Sequence, residues 1–222
     1  MPPTQLNAYH LAFLAHGAAW TVGLSLLAFL GGGPGGFLLA LCRVSASRLV
    51  RGAAGVYVQL VQGTPLLVIM FFGYFGLPAI GLPVPPIVAA GGALTVYVSA
   101  FLGEIWRGCI EAVPAAQWQA AECLALGRTQ RMAYVILPQA VRIATPPTAG
   151  FMVQIVKSTS LASTVGFVEL ARAGQIIDNS LMQPFRIYLL VAAIYFVLCY
   201  PISRLSRRLE HATGASRGPA TP

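Results

Sequence analysis

Charge is what this sequence has least of. Asp, Glu, Lys and Arg together make up 9% of its 222 residues, where soluble domains carry about a quarter. A water-exposed globular surface cannot be built from so few ions. Acids are the rarest of all, 6 against 14 Lys and Arg, and no pair of acidic residues lies within an apolar run as a proton relay requires. The cysteines Cys42, Cys109, Cys123 and Cys199 stand singly without metal-ligand spacing, and His10, His16 and His211 sit near the ends. These cysteines are read as small apolar packing residues. The sequence has no G-x-S-x-G, no H-E-x-x-H and no Walker A loop with its lysine, so it supports neither a hydrolase nor a self-powered pump. No catalytic residue, bound metal or bound cofactor is expected.

What is present is apolar: 57% hydrophobic residues and a mean hydropathy of +0.73. Runs near residues 20–41, 56–77, 87–106, 148–168 and 187–202 approach the ~20 residues that carry a helix across ~30 Å of hydrocarbon. Each is too long for a barrel strand. The expected fold is an all-α integral membrane protein with about five transmembrane helices, multi-pass in the lipid bilayer. An interfacial helix near residues 6–17 could lead into the first span.

Lys and Arg in short loops are retained on the cytoplasmic side, which makes the basic residues a topology test. Arg43, Arg48 and Arg51 follow the first span, Arg107, Arg128, Arg131 and Arg142 surround a central loop, and Arg204, Arg207, Arg208 and Arg217 form the tail. All three groups share one side if the N-terminus is outside. The opposite loops are residues 78–86, without charge, and 169–186, where Glu169 and Asp178 balance Arg172 and Arg186. The expected orientation is N-out, C-in. The net charge of +8 is then a topology signal, and nucleic acid is not an expected partner because no soluble basic domain exists to bind it. The start lacks a basic region and a small-residue cleavage site, so no cleaved signal peptide is expected. The domain layout is residues 1–19 as an extracytoplasmic or interfacial segment, 20–210 as the membrane domain with its central loop at about 108–142, and 211–222 as a disordered tail rich in Gly, Pro, Ser and Ala.

Three features break the apolar runs. The first is helix-disrupting residues: Gly31 to Gly36 with Pro34, then Gly63-Thr64-Pro65, then Thr145-Pro146-Pro147 at the entrance to the fourth span. Irregular backbone at membrane depth is tolerated where it is buried or lines a cavity, whereas small residues also serve simply to bring helices close. Both readings stay open. The second feature is Lys157, near the midplane, where a lysine costs about 2.5–3.5 kcal/mol unless paired or facing water. Gln154, Lys157 and Ser158 follow i, i+3, i+4 spacing and could present a cation and hydrogen-bond donors to a ligand carboxylate. A structural lysine bonded to carbonyls or to a neighbouring subunit is the plainer alternative. The third is Glu104, three residues before Arg107, which a pair at a helix end explains without further function.

The central loop, AAQWQAAECLALGRTQRMAYVILPQA from Ala115 to Ala140, is the chain's main polar interruption. Pro114 suits a helix start, and Trp118, Ala121, Leu124 and Ala125 recur at helical spacing against Gln117, Gln119 and Glu122. A second helical segment over 128–135 should run to Pro138. This loop resembles the EAA loop of the permease subunits of ABC importers, in which a short cytoplasmic helix docks into a groove of the ATPase. The likeness is greatest to the permeases for polar amino acids, of histidine, glutamine, glutamate, arginine and opine type. It extends through Gly63-Thr64-Pro65-Leu66-Leu67, Glu104-Ile105-x-Arg107-Gly108-x-Ile110, Ile136-Leu137-Pro138-Gln139-Ala140, Lys157-Ser158-Thr159-Ser160-Leu161-Ala162-Ser163 and Phe167-Val168-Glu169-Leu170, covering about residues 17–210.

There are departures. Gln62 replaces the arginine of Arg-Gly-Thr-Pro-Leu-Leu. Against Gly-Gln-x-Glu-Ala-Ala-x-x-x-Gly this chain has Ala116, Gln117, Trp118, Gln119, Ala120, Ala121 and then Ala125 for the last glycine, with Gly127 two residues later. Gln119 keeps hydrogen bonding but drops a charge, and Ala125 lacks easy access to a left-handed turn. The resemblance implies the type I importer architecture in a bacterial inner membrane. Its partners would be a second permease subunit, identical or paralogous, two ATPases that bind ATP and Mg, and an extracytoplasmic amino-acid-binding protein. Ala116, Gln117, Trp118, Gln119, Ala120, Ala121, Ala125 and Gly127 would dock the ATPase, while Gln154, Lys157, Ser158, Gln62 and Thr64 would line the substrate path. The altered loop also admits a non-transporting, scaffolding half of a heterodimer.

Overall fold

The computed structural model describes residues 6–213, which fold into eight helices without strands among them. These are α1 (Ala8–Arg43), α2 (Arg48–Gln62), α3 (Leu66–Ala79), α4 (Pro86–Glu111), α5 (Ala115–Cys123), α6 (Arg128–Val165), α7 (Leu170–Leu181) and α8 (Pro184–Thr213). By length and composition α1, α4 and α8 can each cross a bilayer. The pairs α2 with α3, bent by 96°, and α6 with α7, bent by 51°, raise the count to five if each is one span. The expected number of spans therefore holds, although two of them are broken.

Several boundaries differ from expectation. The first span and the interfacial helix are one helix of 36 residues, started by a capping box in which the Asn7 side chain accepts from the His10 amide at 3.1 Å and His10 Nδ1 accepts from the Asn7 amide at 3.2 Å. At ~1.5 Å per residue α1 runs ~54 Å, well beyond the ~30 Å apolar layer. The double proline does not stand at the entrance to the fourth span but inside α6, whose helical run continues through both residues. The loop expected at 169–186 is largely the helix α7. The tail expected at 211–222 begins as the last turn of α8, and its residues 214–222 lie outside the described part.

The glycine run of α1 does not break it. A Cβ on Gly32 would stand 2.7 Å from the Val98 side chain, and one on Gly36 would stand 2.9 Å from the Leu102 Cβ. Their missing side chains let α1 lie directly on α4, which answers with Gly91 and Gly103 against Leu27 and Leu39. At Gly63-Thr64-Pro65 the same residue types do break the helix. Proline disfavours helical backbone at Thr64 before it, Thr64 Oγ1 donates to the Leu60 carbonyl at 2.8 Å, and Pro65 starts α3.

Leu24, Ala28, Leu66, Met70, Leu94, Val98, Leu102, Phe151 and Ile155 form the central core between α1, α3, α4 and α6. A second cluster joins Leu14 of α1 to α7 and α8 through Leu170, Ile177, Ile187 and Val191. At its edge Glu169 is 0% exposed. It caps α7 by accepting from the Ala171 and Arg172 amides at 2.8 and 2.9 Å, and it accepts from the Tyr195 hydroxyl at 2.9 Å and Thr21 Oγ1 at 3.5 Å. The acid expected in a loop is thus a buried joint between α1, α7 and α8, and its four donors offset the cost of burial.

Candidate coupling surface and translocation face

The surface around α5 is built from the ends of three long helices. Ala40 of α1, Ile110 of α4, Val113 just after it, and Ile136 and Ala140 of α6 form a small buried cluster, onto which Trp118 of α5 packs. Pro114 supplies the backbone entry to α5, as its spacing predicted. The apolar side of this helix is narrower than expected: Ala121 is buried and Trp118 half-buried, while Leu124 and Ala125 lie beyond the helix end.

Ala125 closes that end. Its φ is +56°, its amide donates to the Glu122 carbonyl at 2.9 Å, and the Leu126 amide donates to the Ala121 carbonyl at 3.3 Å. This is a Schellman closure with alanine at the position glycine prefers. Contrary to expectation, the absent glycine has not changed the turn. It leaves about 1–2 kcal/mol of left-handed strain in place. Gly127 then starts α6, with its amide donating to Gln130 Oε1 at 2.9 Å.

Polar ties hold the loop to the bundle. Arg131 pairs with Glu122 at 3.2 Å, Arg128 donates to the Val44 carbonyl between α1 and α2 at 3.2 Å, and Gln139 Nε2 donates to Gln117 Oε1 at 3.3 Å. Above them Glu104 of α4 receives Arg107 at 2.5 Å and Arg43 of α1 at 3.4 Å, and Arg107 also pairs with Glu111. Glu104 thus has the predicted partner and one more from across the seam. The Arg43 guanidinium passes over Gly55 of α2, where a Cβ would stand 2.7 Å away.

Ala116, Gln117, Gln119, Ala120, Ala125 and Gly127 are all exposed. Sequence reasoning missed two apolar neighbours, Leu124 at 73% exposure and Tyr134 at 75%. Leu124 had been placed on the inward stripe; the helix ends one residue too early for that. Tyr134 lies in the π-helical turn Arg131–Ile136, which shifts the register that an ordinary helix would keep.

The second group of candidate residues lies higher in α6. Gln154 and Lys157 are exposed and Ser158 is half-buried, at the point where the α-helical part of α6 gives way to the 3-10 segment Thr159–Val165. No carboxylate pairs with Lys157 among the described residues. Gln62 is exposed and Thr64 half-buried. The two groups approach through their neighbours, because Leu66 and Met70 of α3 share the central core with Ala162 and Val165. No hydrogen bond joins Gln62 or Thr64 to Gln154, Lys157 or Ser158 among the described residues.

Known proteins match this arrangement closely. The family described as binding-protein-dependent transport system inner membrane component matches residues 32–214. The probable amino-acid ABC transporter permease protein YckA of Bacillus subtilis is 34% identical over 88% of this chain and 87% of its own length. The L-cystine transport system permease protein TcyB of the same organism is 35% identical over 89% and 85%, and the glutamine transport system permease protein GlnP of Escherichia coli is 32% identical over 90% and 92%. The crystal structure of an amino acid ABC transporter with histidines contains a chain that matches with a TM-score of 0.87 at 31% identity, covering 94% of this chain and 99% of that one. The inward facing MetNI methionine ABC transporter shares the fold at 17% identity, with a TM-score of 0.72. The chain therefore belongs to the binding-protein-dependent transport system inner membrane components, as a multi-pass permease subunit of the amino-acid ABC type.

Proposed function

We propose that this subunit carries a polar amino acid into the cytoplasm, driven by ATP hydrolysed on a separate pair of ATPase subunits and supplied by an extracytoplasmic binding protein. ATP and Mg belong to the ATPases in this reading, and the translocation path is completed by a second permease subunit, identical or paralogous. The chain is N-out and C-in, which puts α5 in the cytoplasm. The observation that carries the reading is α5 itself: a short helix seated on the ends of α1, α4 and α6 through Trp118, with Gln117 and Gln119 exposed on it and Leu124 and Tyr134 exposed in the segments that follow.

Motion of a docked ATPase reaches the spans through few elements. A pull on α5 acts through Trp118 on the cluster at Ala40, Ile110 and Ile136, and through Arg128 and Arg131 on the start of α6. The far end of α6 bears Gln154, Lys157 and Ser158, where an ammonium without a carboxylate partner suits a substrate carboxylate. Rocking α6 against its partners would open that face alternately to each side. Ala125 weakens the case for a non-transporting half, because the turn that glycine usually makes is present.

In vesicles holding the permease, its ATPase and its binding protein, Lys157→Ala should lower substrate-dependent uptake while the assembly still co-purifies. Unchanged uptake would remove Lys157 from the path. Gln119→Glu should maintain or raise transport-coupled ATPase activity; a loss would show Gln119 to be matched to its own partner.

A further inference from the structure

A cavity of about 420 Å³ opens between α1, α4, α6 and α8, and none of the candidate path residues lines it. Its walls include Phe37, Trp106, Val141, Ala144, Met152 and Leu205. The few polar atoms on them are engaged: Trp106 Nε1 donates to Thr148 Oγ1 at 2.9 Å, and Thr145 Oγ1 donates to the Val141 carbonyl at 2.7 Å. Val141 and Leu205 are themselves more than half exposed, so the cavity communicates with the surroundings of the bundle. A void of this size is far from the close packing of a protein interior, and in a bilayer the apolar matter at hand to fill it is lipid.

Charge identifies the kind of lipid. Arg142 follows Val141 in α6, and Arg204 and Arg208 flank Leu205 in α8, one turn apart. All three are exposed and have no ion-pair or hydrogen-bond partner among the described residues. Arg43 and Arg107, by contrast, are held by Glu104. No carboxylate lines the cavity, and Glu210, beside Leu209, already has an interaction within the chain. Arg142, Arg204 and Arg208 do not line the cavity but are next in sequence to its lining residues Val141, Leu205 and Leu209, and basic residues beside an apolar pocket between membrane helices suit an anionic headgroup.

We propose that this cavity takes one acyl chain of an anionic phospholipid, with the headgroup phosphate held by Arg142, Arg204 and Arg208. The site contains none of the candidate path residues, while its walls reach Ile110 and Ala140 of the cluster beneath α5. Ser206, whose Oγ donates to the Pro146 carbonyl at 3.0 Å, joins α8 to α6 beside it, so an occupied cavity would brace the contact between the two helices.

Trp106 in the cavity wall provides the probe. In the full chain with Trp20→Phe and Trp118→Phe, purified in zwitterionic detergent, Trp106 fluorescence is titrated with phosphatidylglycerol brominated on its acyl chains and, separately, with brominated phosphatidylcholine. Saturable quenching with about tenfold higher apparent affinity for phosphatidylglycerol is expected, lost in the Arg142→Gln, Arg208→Gln variant. Ala144→Leu, which fills the cavity, should reduce quenching by both lipids. Equal quenching by the two lipids would mean ordinary boundary lipid, and absence of quenching would mean that another protein segment covers the cavity; either overturns the proposal. Mass spectrometry of the unaltered chain, released gently from the same detergent, supplies a second measurement: retained phosphatidylglycerol is expected, and its absence would contradict the site.

Discussion

Glycine and proline occur together at two places in this chain with opposite results. In α1, Gly31 to Gly36 with Pro34 form part of an unbroken helix, whereas Gly63-Thr64-Pro65 turns α2 into α3 by 96°. Local propensity disfavours helix at both. The difference is the neighbour: α4 fills the space beside Gly32 and Gly36, with Val98 and Leu102 in near contact, and the dispersion gained along that seam outweighs the missing amide of Pro34. A Cβ at Gly63 would meet only its own helix, at the Gln59 carbonyl 2.9 Å away. There Thr64 and the helix-capping carbonyls decide the outcome, and the chain turns. Glycine in a membrane helix therefore signals a break only where no partner helix lies against it.

This comparison can be broken at the seam. Gly32→Leu should be the most damaging change, because its Cβ alone would overlap Val98; a loss of about 3 kcal/mol or more would lower the melting temperature in detergent by roughly 6–12 °C. A melting temperature within a degree of the parent would show that α1 and α4 do not pack this closely. Glu104→Ala removes the acid that ties Arg43 of α1 to α4, leaving the partly buried Arg43 guanidinium unpaired and Arg107 with Glu111 alone, with an expected loss of about 1–2 kcal/mol read in the same melt. Ala125→Gly should have the opposite sign, relieving about 1 kcal/mol of left-handed strain and slowing amide exchange at Leu126. Faster exchange there would mean that the turn is not held as described. Smallest is Gly33→Ala: no atom lies within 4 Å of the new Cβ, and the helix should gain about 0.5–1 kcal/mol.

Much of this was legible from residues alone. Hydropathy found the five apolar runs because no other force acts so evenly over twenty residues, and the ordered motifs identified the permease family. Helix boundaries were less legible, since they depend on tertiary contacts: the glycine seam hides in α1, and Pro146 and Pro147 stay inside α6. Glu169 was read as a loop charge because its partners, Thr21 and Tyr195, are far away in sequence. Ala125 was read as lacking easy access to a left-handed turn, yet two backbone hydrogen bonds hold it in the left-handed region. The exposed pair Leu124 and Tyr134 depended on the end of α5 and on a π-helical turn, neither of which has a signal in the spacing of apolar residues.

The account turns on α5 as the surface that an ATPase covers, and Cys123 at its end allows this to be tested without adding a label site. Cys123 is exposed, while Cys109 and Cys199 are buried and Cys42 is half-buried. Maleimide should modify Cys123 rapidly in the isolated permease and at least about tenfold more slowly once the cognate ATPase is bound, with protection abolished by Leu124→Asp. Unchanged Cys123 reactivity in an assembly that demonstrably contains the ATPase would contradict the account.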